Sequence, residues 1–387
     1  MEPVYLDYAS TTPVDERVAR RMADCLTRDG LFANPASRTH APGRAAADAV
    51  EQAREQVAAS IGGDPRGLVF TSGATEADNL ALKGVAAFQR DRGRHIVTAA
   101  NEHKAVLDVC SALEFDGFEV TRVKPEADGR VTPEAVEAAL RPDTVLVSVM
   151  HANNETGTIN DIGAIARVVR GHGARFHVDA AQTGARLELD VDALDLDLVS
   201  LSAHKSYGPK GIGALWVRRR PRVRLIPQMH GGGHEHGLRA GTLATHQVVG
   251  MGEAFALARA ERDNDRAHAD DLRARLFAWL DTLEGVRDNG AGAERLPWTR
   301  NLAFAGVEGE ALAAALADRV AIATGSACTS ASTEPSYVLR AMGQPADQAA
   351  EAVRVSWGRM TGTEEMEHAA RTLVDTVKRL RHGAAVA

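Results

Sequence analysis

The chain has 387 residues, 44% hydrophobic and 25% charged, an ordinary globular composition with room for a large core and two domains. A net charge of −7 gives no general pull toward nucleic acid, and the lack of a long uncharged apolar run argues against a transmembrane helix. Three cysteines are too few for a disulfide scaffold and fit a reducing cytoplasm; the start, Met1-Glu2-Pro3-Val4-Tyr5, has neither the basic nor the apolar part of a signal peptide.

Short apolar runs at 67–71, 95–98, 118–123, 144–150, 175–178 and 198–201 predict strands. Amphipathic stretches at 76–88, 104–113, 133–140 and 162–170 predict helices between most of them. This alternation predicts an α/β fold, a mostly parallel sheet with helices on both faces. Active sites of such sheets lie at the carboxyl ends of the strands. Thr75, His103, Asn154, Asp179 and Lys205 all fall there. From about residue 260 the pattern changes. A long charged helix at 256–283 leads to a smaller α+β domain with a Gly/Ser-rich segment around Cys328 and a final helix at 363–380. The first residues are expected to pack with it. The expected division is a large domain, 15–260, and a small one made of 1–14 and 261–387.

Lys205 and Asp179 carry the chemistry. An ammonium at the end of a buried strand is costly unless its nitrogen is used. An amine and a carboxylate at two strand ends are what a pyridine-aldehyde cofactor needs: the amine binds the aldehyde, and the carboxylate keeps the ring nitrogen protonated. Thr71-Ser72-Gly73-Ala74-Thr75-Glu76 follows a strand and opens a helix, whose N-terminal amides suit a phosphate, although most such turns hold no ligand. Ser202, His204 and Thr242 can add hydroxyl or imidazole donors, or simply cap turns. His103 can stack on a pyridine ring and move protons, or be an ordinary half-buried histidine. Gln182 can reach the cofactor phenolic oxygen, and Asn154 can help there or contact substrate.

Cys328 sits among small residues in Gly325-Ser326-Ala327-Cys328-Thr329-Ser330, good material for a loop presenting a thiol and poor material for a core. Cys25 and Cys110 lie on helical apolar stripes and read as core. Arg354, inside an apolar run, wants a carboxylate: that of an amino-acid substrate or of a structural ion pair. Arg218, Arg219, Arg220, Arg222 and Arg224 form either a solvated edge or a dock for acidic partner proteins. The tract His230-Gly231-Gly232-Gly233-His234-Glu235-His236 lacks a well-spaced fourth ligand, so no metal site is expected.

Together these motifs resemble the pyridoxal-phosphate cysteine desulfurases of the IscS/NifS type, of the class V aminotransferases. The likeness runs from Tyr5-Leu6-Asp7-Tyr8 to Glu334-Pro335-Ser336-Tyr337, nearly the whole chain, and is most specific at Ser202-Ala203-His204-Lys205 and Gly325–Ser330. It implies the aminotransferase-like fold (fold type I) and pyridoxal 5'-phosphate held by Lys205, with Asp179 on the ring nitrogen. His103 would stack on the ring, Gln182 would meet the phenolic oxygen, and Asn154 would contact cofactor and substrate. Ala74, Thr75, Ser202 and His204 would bind the phosphate. It implies a homodimer in which Thr242 arrives from the second subunit, and Arg354 holding the carboxylate of L-cysteine. Cys328 would take the substrate sulfur as a persulfide and release alanine. The persulfide would serve an iron–sulfur scaffold or another sulfur carrier, with Cys328 a transient iron–sulfur ligand. His236 stands where the family usually has arginine, and Ala203 where it often has glycine. The chain stops at Ala387, short of the longer tail by which many relatives dock the scaffold, which leaves scaffold docking an open question at this point. The alternatives are a selenocysteine lyase or aminotransferase in which Cys328 is incidental, and a non-enzymatic protein on the same fold.

Overall fold

The computed structural model describes residues 3–325 and 334–384. A short strand, β1 (Val4–Tyr5), precedes the large sheet. That sheet comprises β2 (Leu68–Thr71), β3 (His95–Ala99), β4 (Glu119–Val123), β5 (Thr144–Ser148), β6 (Arg175–Asp179), β7 (Leu198–Ser202) and β8 (Gly213–Val217), in the order β2-β8-β7-β6-β5-β3-β4. The pairs from β4 to β7 are parallel, as the strand–helix alternation requires. Strands covered on both faces are buried throughout, which is why they read as unbroken apolar runs. Edge strand β4 is half open to solvent.

The connecting helices start and stop on local chemistry. Thr132 caps Pro133–Ala139 by accepting from the Ala135 amide, with proline in the first turn. Asp161 caps Ile162–His172 in the same way, and Gly173, at φ +86°, ends it in the left-handed conformation that glycine adopts without penalty. Such short connections bring one strand end after another to the same edge.

Two features differ from the sequence expectation. β8 was not expected. It runs antiparallel to both β2 and β7, and it hides in the sequence because it follows directly on the glycine-rich segment after Lys205. The helix expected at 256–283 is two helices, Thr245–Ala260 and Arg262–Leu280. They meet at Glu261, which leaves the helical region (φ −101°, ψ 6°) with its carboxylate between Arg17 and Arg359.

A second sheet follows: β9 (Val286–Asn289), β10 (Thr299–Phe304), β12 (Ala323–Thr324) and β13 (Ala352–Ser356), antiparallel in the order β12-β13-β10-β9. β11 (Val320–Ala321) pairs with β1. The core beneath is built from Leu6, Leu272, Leu276, Trp298, Phe304, Trp357 and Val374, so the N-terminal residues pack with C-terminal ones. Cys25 and Cys110 are both buried. Among the described residues no helix is long and apolar enough to cross a membrane.

Candidate active site

The carboxyl ends of β2, β3, β5, β6 and β7 open on one cavity of about 600 Å³. Ala74, Thr75, His103, Asn154, Asp179, Gln182, Ser202, His204 and Lys205 line it, and Arg354 of β13 closes it from the second sheet.

Lys205 is placed by a stitched backbone. The His204 carbonyl accepts from the Thr12 amide at 2.8 Å and from the Thr12 hydroxyl at 3.0 Å. The Lys205 carbonyl accepts from Arg186 at 3.3 Å, and that guanidinium is wedged over Trp298, 3.7 Å from the ring centroid. Asp179 ends β6, and one of its oxygens is tied down by the Ala181 amide at 2.9 Å. The Gln182 amide donates to the Ala9 carbonyl at 3.0 Å.

His103 is the N-cap of Lys104–Phe115, its Nδ1 accepting from the Ala105 amide at 3.1 Å. The neutral ring therefore carries its proton on Nε2. Burial and then the nearby Lys205 ammonium lower its pKa, partly countered by Asp179, so neutral imidazole is the resting form. His204, with Nδ1 at 3.1 Å from the Thr11 hydroxyl, is pushed down to about 4 by burial and by Lys205.

At the turn after β2 the helix Ala74–Gln89 begins at Gly73 without a side-chain cap among the described residues, which leaves its first amides open to a ligand. A Cβ built on Gly73 would meet nothing within 4 Å: the turn faces open cavity. Behind it, a Cβ on Gly213 would lie 2.7 Å from the Gly73 backbone, which is why β8 begins with glycine. The Asn154 Oδ1 and the Arg354 Nε are buried without a hydrogen-bond partner among the described residues. The other Arg354 nitrogens donate to the Asn154 carbonyl at 2.9 Å, Asp7 at 2.8 Å and Ser10 at 2.5 Å. An amine, a carboxylate, an uncapped helix start and unused polar atoms around one cavity fit a phosphorylated pyridine aldehyde with an amino acid beside it.

The sequence reasoning missed Asp78. It is wholly buried on Ala74–Gln89, lines the same cavity and lies 3.5 Å from His177 Nε2. His177 is itself held between the Ser148 and Ser200 hydroxyls, at 2.9 Å each. Burial, then the charge of Asp179, raises the Asp78 pKa well above the ordinary carboxyl range. Its signal is positional: it shares the apolar face formed by Ala74, Ala77, Ala81 and Val85. Glu102 is likewise buried and raised well above the usual range, one oxygen accepting from the Met150 amide at 2.7 Å.

Other expectations fall elsewhere. Thr242 is exposed and outside the cavity of its own chain. Cys328 lies outside the described residues. Arg218 is a correction: it is buried between Asp195 and Asp197 and donates to the Leu196 carbonyl at 2.6 Å, so it belongs to the sheet edge rather than to a docking surface. Arg219, Arg220, Arg222 and Arg224 are exposed. In the histidine tract Glu235 is taken up by Arg54, and among the described residues no group of three His, Cys, Asp or Glu is placed to hold a metal.

The family model for class-V aminotransferases matches residues 4–368. A cysteine desulfurase IscS of Pseudomonas aeruginosa (strain UCBPP-PA14) is 58% identical over 379 residues, covering 98% of this chain and 94% of that protein. Among solved structures, a NifS-like protein superposes with a TM-score of 0.91 at 34% identity, covering 98% of this chain and all of the other. SspA in complex with cysteine gives 0.80 at 38% identity over 91% and 98% of the two chains. The chain belongs to the class-V aminotransferases and, within them, to the cysteine desulfurases of the IscS/NifS type.

Proposed function

We propose that the cavity holds pyridoxal 5'-phosphate and L-cysteine and that Cys328 receives the sulfur. What supports this most is the convergence of Lys205, Asp179 and His103 from three strand ends on one cavity that Arg354, with a buried nitrogen unused among the described residues, also lines. When bound, the cofactor supplies an electron sink for the substrate α-carbon. Lys205 anchors it, Asp179 keeps its ring nitrogen protonated, and Gln182 meets the phenolic oxygen. The start of Ala74–Gln89 takes the phosphate with Thr75, Ser202, His204 and Thr242 of the partner subunit. Asn154 contacts cofactor and substrate, and Arg354 takes the substrate carboxylate. His103, neutral at rest, moves protons beside the substrate, which is worth roughly 10²–10⁴-fold.

The Cys328 thiolate attacks the substrate sulfur. The sulfur–sulfur bond forms as the carbon–sulfur bond breaks; the electron pair stays on carbon, which takes a proton and leaves as alanine. The persulfide then serves an iron–sulfur scaffold or a sulfur carrier in the cytoplasm, with Cys328 a transient iron–sulfur ligand on the way. Exposed Arg219, Arg220, Arg222 and Arg224 offer acidic partners a dock. We also divide the chain into a large unit, 15–260, and a small one, 1–14 with 261–387, each with its own core.

Mixing the cofactor-loaded protein with L-cysteine for a single turnover, without reductant, followed by peptide mass mapping, tests this. The expected result is one added sulfur on Cys328 and one alanine released, with Cys328→Ser forming neither at the parent rate. Alanine or pyruvate without sulfur on Cys328 would instead assign a lyase.

A further inference from the structure

The segment that carries Thr242 is held at two points, and both holds lead to the phosphate turn of the same subunit. At the first, the buried Glu235 carboxylate takes both terminal nitrogens of Arg54, at 2.8 and 2.9 Å, and the Phe70 amide at 2.7 Å. Phe70 lies in edge strand β2, which runs directly into the turn that begins at Thr71. At the second, Arg239 donates to both oxygens of Glu76, at 2.8 and 3.3 Å, while Glu76 also accepts from the Ser72 amide at 2.6 Å inside that turn. Glu235 itself and the next residue, His236, sit at φ +48° and +56°, a left-handed conformation that residues with side chains adopt only when their surroundings fix it. The Arg54 pair is too buried and too fully bonded to be a solvated ion pair, and Arg239–Glu76 is only 20% exposed on each side.

We propose that Glu235 and Arg239 are positioning residues for the cofactor phosphate: they register Thr242, which one subunit lends to its partner, against the turn with which that subunit binds its own phosphate. This rests on the reading that Thr242 completes the partner's phosphate site. One brace then serves two sites, and loosening it is felt across the dimer.

Mixed dimers test it. One subunit carries Lys205→Ala, so the absorbance of lysine-bound pyridoxal phosphate reports only the other subunit as apoprotein is titrated with the cofactor. With Arg239→Met added to the Lys205→Ala subunit, the intact reporting site is expected to bind pyridoxal phosphate about tenfold more weakly, the scale of ordinary coupling between sites. Arg239→Lys, which keeps the charge, recovers most of that loss. Glu76→Gln combined with Arg239→Met in the Lys205→Ala subunit costs no more than the worse single change, because the two act through one contact. A loss appearing only when Arg239→Met is on the reporting subunit would overturn the proposal, since Arg239 would then serve its own turn alone. Thr242→Val in the Lys205→Ala subunit separates the two ideas. If it leaves the reporting site unchanged, the underlying reading of Thr242 fails; if it weakens that site while Arg239→Met does not, the brace fails.

Discussion

Arg54 and Arg354 are both buried and both ion-paired, yet they sit in surroundings of different kinds. Every nitrogen of Arg54 is used: on Glu235, on the Leu68 carbonyl at 2.8 Å and, at 3.3 Å, on Glu51. Its partner is as deep as it is, with only 3% of the Glu235 side chain exposed. Arg354 keeps Nε without a partner among the described residues, its partner Asp7 is 21% exposed, and it faces the cavity. A buried pair with every valence filled joins elements together. One that keeps a spare donor among the described residues and lines a cavity has capacity left for a further partner. Burial alone does not separate the two; the count of unused hydrogen bonds does.

The difference predicts opposite phenotypes. Arg54→Met leaves the Glu235 charge buried and alone, which costs about 3–5 kcal/mol. The expected outcome is a large fall in the unfolding midpoint, partly restored by adding Glu235→Gln, which removes the charge and keeps an acceptor for Phe70. Urea unfolding followed by circular dichroism measures it; a loss below about 1 kcal/mol would mean the pair relaxes into solvent. Arg354→Gln takes a donor from Asp7, which water can reach, and from the Asn154 carbonyl and the Ser10 hydroxyl, but leaves no fully buried charge, so its stability cost is smaller than that of Arg54→Met. Its effect falls on KM for L-cysteine, which rises about a hundredfold, the equivalent of about 2.7 kcal/mol for a charge-assisted contact. Steady-state alanine formation measures it. An unchanged KM with a lowered melting point would make Arg354 a joint like Arg54.

Much of the site was legible because strand ends are. An unbroken apolar run that stops at Asp179 or at Ser202-Ala203-His204-Lys205 can be read without coordinates, and parallel topology brings those stops to one edge. What stayed hidden depends on which face a polar residue takes. Asp78 looks like part of a polar first helical turn but points with the apolar stripe into the protein. Arg218 looks like its four exposed neighbours but directly follows β8 and is buried beside Asp195 and Asp197. Glu235 looks like part of a metal tract, and only the fold shows Arg54 waiting for it.

The buried carboxyl nearest the root of the cysteine segment gives the finest test. Glu155 is buried, takes a hydrogen bond from Ser336 at 2.5 Å and would lie 3.0 Å from a Cβ on Gly325. Burial raises its pKa to about 7, against the smaller opposing pull of Ser336 and Arg354. Its contribution to stability is therefore full below pH 4.5 and lost as pH rises toward 7. His151 and His177, driven down to about 4 by burial, behave oppositely: their contribution is present above pH 6.5 and lost as pH falls toward 4. Between pH 4.5 and 6.5 the native state holds a proton on Glu155 that the unfolded chain lacks, and lacks those the unfolded chain holds on the two histidines. Glu155 thus offsets part of the acid destabilisation, and Glu155→Gln removes the offset. The variant's stability is expected to fall more steeply on acidification across that interval, by up to about 1.4 kcal/mol per pH unit. Urea midpoints at half-unit steps of pH decide it: parallel profiles for the two proteins would mean that Glu155 is ionised throughout, and that its contact with Ser336 is an ordinary hydrogen bond to a charged group.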